Sequence, residues 1–151
     1  MNKLFFMLIL LVFNCEIVKD ISRAKKINDL EKLKYTYHKW RSSLETPTFD
    51  NQRVLINSEA QWKIHDSDRF YRTVLDIDGA ESILANVLNG IIRDVLSKQS
   101  FKQGIDNHFP EGEITRITRD KLEEMNLGFQ LYNFKIISIL PNPRYKSKSS
   151  Q

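Results

Sequence analysis

The 151-residue chain contains one cysteine, Cys15, which excludes an intramolecular disulfide and an all-cysteine metal site. Its three histidines, His38, His65 and His108, are far apart, with no pair at the helical spacing of metal ligands. The sequence has no H-E-x-x-H, no G-x-S-x-G, no P-loop and no G-x-G-x-x-G. The signatures of zinc hydrolysis, serine-nucleophile hydrolysis, nucleotide-phosphate binding and dinucleotide binding are therefore missing. There is no internal repeat and no long low-complexity run. Nor is there an unbroken apolar run of the roughly 20 residues that a membrane-spanning helix needs.

What is present is an ordinary folding composition, 41% hydrophobic and 28% charged, in a length that fits one domain with a real core. The net charge of +4 is mild but unevenly placed. Between Arg23 and Arg41 seven basic residues (Arg23, Lys25, Lys26, Lys32, Lys34, Lys39, Arg41) face two acidic ones, Asp29 and Glu31. Arg144, Lys146 and Lys148 follow near the C-terminus with no acid, in a segment, 144–151, that reads as a basic disordered tail. Such patches suit anionic lipid headgroups or nucleic acid; the plainer reading is a solvated basic face.

At the N-terminus, Lys3 precedes a ten-residue apolar run, Leu4–Phe13. That length fits the hydrophobic region of an export signal. Extension through Ile17-Val18 makes a longer anchor but takes in Asn14 and Glu16. Cys15 almost directly after the run admits a lipoprotein signal, although Phe13-Asn14 departs from the small residues that normally precede such a cysteine. Residues 1–18 are expected to be a signal peptide or membrane anchor rather than a buried helix, because so short a run at the extreme terminus has little partner surface.

The stretch that organises the rest is Arg53–Val74. Val54, Ile56, Ser58, Ala60, Trp62 and Ile64 alternate with Arg53, Leu55, Asn57, Glu59, Gln61 and Lys63, the period of a half-buried strand. Asp66 then offers an acceptor side chain where a short helix, Ser67–Val74, begins, with Phe70 and Val74 inward. Upstream, Glu16–Lys26 reads as a linker, and with the anchor ending at 18 the linker and domain entry span 19–33. Residues 34–40 read as a strand, and Arg41–Gln52, with Pro47, Asp50 and Asn51, as a loop. Downstream, Gly79–Lys98 carries a continuous stripe of Ile83, Leu84, Val87, Leu88, Ile91, Ile92, Val95 and Leu96, the pattern of a core helix; a partner-helix interface is the functional alternative. Asp78 and Glu81 have the form of a capping box at its start. Ser100–Glu113, with Gly104, Pro110 and Gly112, reads as a loop. A second helix over Ile114–Leu127 would turn Ile114, Ile117, Leu122 and Met125 inward, and Gly128 suits its C-terminal cap. Phe129–Leu140 is apolar on both faces, as in a strand covered on both sides, and Pro141 and Pro143 end it.

Each arrangement that tempts a chemical reading has a structural one beside it. Asp76-Ile77-Asp78-Gly79 begins like a calcium loop, but the twelfth residue is Val87; helix capping explains it. Glu111 and Glu113 flank a glycine in what reads as a loop, where such pairs are solvated. His65-Asp66 has the makings of a proton-relay pair, or is a strand end beside a helix cap. Trp62 has the form of a ligand platform, but lies on the apolar face of its strand. Cys15 falls in the export segment, which argues against a Cys–His nucleophile. No catalytic, cofactor or metal residue is assigned.

Gln61-Trp62-Lys63-Ile64-His65-Asp66 followed by Asp68-Arg69-Phe70-Tyr71 resembles the central strand and helix of the SPFH/band 7 (stomatin–prohibitin–flotillin–HflK/C) domain. It most resembles HflC, whose members carry W-[KR]-I-x-D-x-x-x-[FY]-[FY] at this point. Lys26–Trp40 and Arg41–Pro47 look like the HflC segment leading to an exposed turn before that strand. Asn126–Pro141 looks like the closing strand, and together the pieces cover roughly residues 25–143. The resemblance implies an α+β fold, a small sheet with two main helices packed on it over residues 34–143, after an N-terminal hydrophobic segment. It also implies a regulatory scaffold that is not an enzyme and needs no cofactor. Such a scaffold sits at the membrane through a single N-terminal anchor, with its domain on the extracytoplasmic (periplasmic) side. It modulates a membrane-bound ATP-dependent protease together with an HflK-like partner, contacts membrane lipid, and has no role in nucleic-acid binding. The chain departs from the family where early strands of the G-x-V-x-R-F-G type would stand, and where a long charged helix would follow the domain. A shortened domain that no longer assembles into rings, or a remnant without activity, is the expectation from those departures. The rival readings are an exported lipoprotein or binding module, and nucleic-acid binding through the basic Arg23–Arg41 segment.

Overall fold

The alternating stretch Arg53–Ile64 is β2, the middle strand of a three-stranded antiparallel sheet in the computed structural model, which describes residues 19–102 and 109–142. Residues 19–33 form helix α1. There follow β1 (His38–Pro47), β2, α2 (Ser67–Thr73), α3 (Ile77–Leu96), α4 (Glu111–Met125) and β3 (Phe129–Pro141), in the sheet order β1-β2-β3. The fold is α+β. The anchor or signal segment 1–18, with Cys15, and the tail 144–151 lie outside the described residues, as do Gly104 and His108 in the 103–108 stretch.

Period two decides which face of β2 is covered. All six residues of its apolar set, Val54 to Ile64, are buried, and their neighbours are only half-buried or exposed. Asp66 caps α2 as expected, accepting the Arg69 N–H at 3.0 Å. Beneath the covered face α3 lies against β1 and α4 against β3, and the two helices touch each other. Leu84, Leu88, Ile92 and Leu96 recur on one side of α3 and meet Trp62, Phe70, Phe129 and Phe134 in a single core. Stacking and edge contacts order the aromatic group: Trp62 and Phe129 lie 5.3 Å apart, Phe70 and Phe129 6.0 Å.

Several boundaries fall elsewhere than the sequence suggests. The part of the expected linker from residue 19 onward is helical, with Leu30 in the core and Leu33 packed against it, because Ile27, Leu30 and Leu33 share one side at helical spacing. The first strand is His38–Pro47, not 34–40, so most of the expected loop is sheet. Trp40, Leu44 and Thr46 alternate inward there, a period of two hidden by the serines between them. Only 48–52 turns: the Thr48 N–H donates to the Gln52 carbonyl at 2.9 Å, the Asn51 N–H to the Thr48 carbonyl at 3.0 Å, and Asn51 takes φ 58. The N-cap of α3 is Asp76, accepting the Gly79 N–H at 2.9 Å, and not Asp78, which lies inside the first turn. Glu111 opens α4, so the expected loop ends earlier, and residues 101–102 are helical.

At the end of α4 two expectations fail. Met125 is 42% exposed, and Thr118 takes the inward place between Ile114 and Leu122. The cap in the left-handed region is Asn126, φ 54. Gly128 also has positive φ, +82, but for a different reason: a Cβ there would sit 2.5 Å from both the Asp66 carbonyl oxygen and the Phe70 nitrogen. Its own carbonyl accepts the His65 and Asp66 N–H groups at 3.0 and 3.1 Å. Gly128 therefore lets the α4–β3 connection press onto the β2–α2 corner.

β3 is covered on one face, not two. Its register against β2 slips between Gln61 and Trp62, and again between Asn57 and Ser58, so Tyr132 and Ile137 are the extra residues. Each slip shifts the alternation by one. Phe129, Leu131, Phe134, Ile136 and Ile139 then all point to the core, while Tyr132, Ile137 and Leu140 stay exposed. Two bulges in a one-sided strand thus mimic the apolar pattern of a two-sided one.

Candidate functional site: the open face of the sheet

Among the described residues the helices cover one face of the sheet and leave the other open. Register places its side chains in rows: Lys39, Gln61 and Asn133; Arg41, Glu59 and Lys135; Ser43, Asn57 and Ser138; Glu45, Leu55 and Leu140. Side-chain hydrogen bonds cross the strands in the rows of Arg41 and Ser43, and from Arg53 to Glu45. Arg41 Nε donates to Glu59 Oε2 at 2.8 Å. That hydrogen bond holds the Glu59 carboxyl below its ordinary range, helped by the nearby charges of Arg41, Lys39 and Lys135 against partial desolvation. Ser43 Oγ donates to Asn57 Oδ1, and Asn57 Nδ2 donates to Ser138 Oγ at 2.8 Å. Arg53 Nη1 donates to Glu45 Oε1 at 3.1 Å. A shallow depression lies in this middle region, lined by Arg41, Ser43, Asn57, Glu59 and Ile137 among others.

Apolar groups flank the polar centre. At one end the Tyr37 and Tyr132 rings lie 4.7 Å apart, with Lys63 Nζ 5.6 Å from the Tyr37 centroid. A hydrogen bond to Tyr132 raises the Tyr37 hydroxyl above its ordinary value. At the other end Leu140 is half exposed, while Ile137, 62% exposed, stands beside the central depression. Arg41 with Glu59, and Ser43 and Ser138 with Asn57, hold one another in fixed positions across the strands. Ordered polar rows with apolar margins suit contact with another macromolecular surface.

The residues weighed for chemistry do not converge. Asp66 is a helix cap and Asp76 another, so the His65-Asp66 and Asp76–Gly79 arrangements are structural where they stand. His65 is exposed at the β2–α2 corner. Trp62 is fully buried in the core, as its place on the strand indicates. Glu111 Oε1 accepts the Ile136 N–H at 2.6 Å, a role invisible before the strand and helix were placed together, while Glu113 is exposed. Among the described residues no group of three His, Cys, Asp or Glu side chains could hold a metal ion. The basic segment is largely neutralised where it lies. Arg23 pairs with Asp68, Lys32 with Asp29, Lys34 with Glu31 and Arg41 with Glu59, while Lys26 stands 5.7 Å from the Tyr71 ring. Among the described residues no helix is long and apolar enough to cross a membrane.

His38 was not singled out by the sequence beyond its distance from the other histidines. It is the cross-strand partner of Trp62, and the two rings stack at 4.6 Å. His38 Nε2 and Trp62 Nε1 are both buried without a hydrogen-bond partner among the described residues. Desolvation lowers the imidazole pKa below its ordinary value, so the ring sits neutral against the indole.

Compared with known proteins, residues 23–151 match the SPFH domain / Band 7 family. No curated protein matches the chain.

Proposed function

From the premise that this chain belongs to the SPFH domain / Band 7 family, we propose that it is a membrane-associated, non-enzymatic scaffold. The family match across residues 23–151 carries the reading. The open sheet face, with paired polar rows between apolar margins, supports it as a surface for protein contact. More specifically, we infer an HflC-like role, on the Trp62-Lys63-Ile64-His65-Asp66 and Phe70-Tyr71 pattern. In that role the chain assembles with an HflK-like partner and modulates a membrane-bound ATP-dependent protease. Segment 1–18 would supply a single anchor, with the domain on the extracytoplasmic side.

The test is affinity purification of the tagged chain from detergent-solubilised membranes, with identification of the co-purifying chains. Recovery of an SPFH-domain partner or a membrane protease is the expected result. Recovery from a soluble or lipoprotein fraction with neither partner would overturn the HflC-like role and leave an exported binding module or an inactive remnant. A lipid found on Cys15 would favour the lipoprotein reading.

A further inference from the structure

The two edges of the sheet differ. At the β3 edge, α4 reaches over both bulges: Arg119 donates to the Leu131 carbonyl at 3.0 Å and to the Tyr132 carbonyl, and Glu111 accepts the Ile136 N–H. Side chains thus cap the backbone groups that both bulges expose on that edge. At the β1 edge no strand among the described residues pairs with His38–Pro47 on its outer side.

The backbone phase of that edge follows from two bonds. The Thr48 N–H donates to the Gln52 carbonyl, and the Asn142 N–H to the Arg53 carbonyl. Alternate residues of an antiparallel strand bond the same neighbour. Even-numbered residues of β1 therefore bond β2, and Lys39, Arg41, Ser43 and Glu45 direct their N–H and C=O groups outward. Pro47, of the same parity, has no N–H to offer there, which is where a strand tolerates proline.

We propose that this edge pairs with the β1 edge of a second copy of the chain, antiparallel about a two-fold axis at Ser42, to make one continuous six-stranded sheet. A two-fold axis normal to the sheet is required to keep each copy's covered face on the same side, and it opposes residues whose numbers sum to an even value. Centring on Ser42 sets Lys39 against the second copy's Glu45, and Arg41 against its Ser43, at both ends. All four outward residues then meet hydrogen-bonding partners, and Trp40 stands beside Leu44 on the core side. Centring one residue earlier opposes Arg41 to Arg41. Centring one residue later opposes Arg41 to Glu45, but sets Lys39 against Pro47, which has no N–H, at both ends. Of the two registers that oppose unlike charges, the one centred on Ser42 leaves no outward carbonyl from Lys39 to Glu45 without a donor. This inference rests on the geometry of β1 and is independent of the proposed cellular role.

The test uses the full chain, purified in detergent, with mass measured in solution across a concentration series. A dimer is expected. Lys39 and Glu45 are exposed on the open face, so their substitution leaves the core intact. Lys39→Glu opposes two carboxylates at each end and should weaken the dimer by about tenfold, and Lys39→Glu with Glu45→Lys should restore it. In a Cys15→Ser background, Ser42→Cys should cross-link with itself under mild oxidation, because directly opposed residues come within disulfide reach. A chain that stays monomeric at all concentrations would overturn the proposal. So would a dimer indifferent to Lys39→Glu, or one that Ser42→Cys does not cross-link. Slow amide exchange at Lys39, Arg41 and Ser43 in a monomer would mean that the chain's own residues cover the edge, and would overturn it equally.

Discussion

Glu111, the first residue of α4, takes the Ile136 backbone N–H at 2.6 Å where β3 slips past β2. A bulge leaves backbone groups without ladder partners, and the carboxylate supplies one. Replacing it by alanine should cost about 1–3 kcal/mol, because a partly buried N–H loses a charged acceptor. Glutamine, which keeps a neutral acceptor, should cost less. Urea unfolding checks the stability, and hydrogen exchange checks the site: the Ile136 amide should exchange faster in Glu111→Ala before global stability is lost.

Gly128 is the position least open to change. Alanine there meets two backbone atoms at 2.5 Å and must also hold φ +82. Neither the Asp66 carbonyl nor the Phe70 amide can withdraw without opening the β2–α2 corner. Gly128→Ala should destabilise the fold by more than about 2 kcal/mol. Gly90, on the exposed side of α3 with nothing within 4 Å of an added Cβ, is the control: Gly90→Ala should stabilise by about 0.5–1 kcal/mol. Thermal melts of the two variants should move in opposite directions.

The caps separate what the sequence shows from what it hides. Asp66 and Asp76 each accept an N–H three residues on, so alanine at either should cost about 1 kcal/mol. Asp78, the residue the capping-box pattern favours, accepts no such bond as a cap and should cost less than about 0.5 kcal/mol. Chemical denaturation of the three single variants ranks them. If Asp78→Ala proved the most damaging, the start of α3 would be at Gly79 after all.

Those cases show what kind of information a lone sequence carries. The β2 face and the α3 stripe were legible because burial there follows an unbroken period, two in one and 3.6 in the other. β3 misled because its period breaks twice, and a bulge has no residue signature of its own at Tyr132 or Ile137. β1 was hidden by small polar residues, Ser42 and Ser43, placed where a loop would also place them. The candidate surface was not legible at all. Arg41 with Glu59, or Asn57 with Ser138, are pairs 18 and 81 residues apart in the chain, and only the register brings them side by side.

The His38–Trp62 stack makes stability depend on pH in a defined direction. Desolvation sets the folded pKa of His38 below its ordinary 6.5, so below that value the unfolded chain binds more protons than the folded one. Stability from the neutral ring is then fully present above about pH 6.5 and falls as pH drops toward the folded value. One proton is involved, so the slope stays below about 1.4 kcal/mol per pH unit, and the partial exposure of His38 reduces it further. Asp50 and Glu59 act in the same direction but lower. A hydrogen bond from Thr48 holds Asp50 below its ordinary 3.8, and one from Arg41 holds Glu59 below 4.5. Their contributions are present above those values and lost as pH falls through the folded ones. His38→Gln should therefore flatten the stability curve between about pH 6.5 and 4.5 while leaving the steeper acid limb in place. Urea midpoints measured at half-unit intervals across that range give the answer. An unchanged slope would mean that the imidazole titrates alike in the folded and unfolded chains.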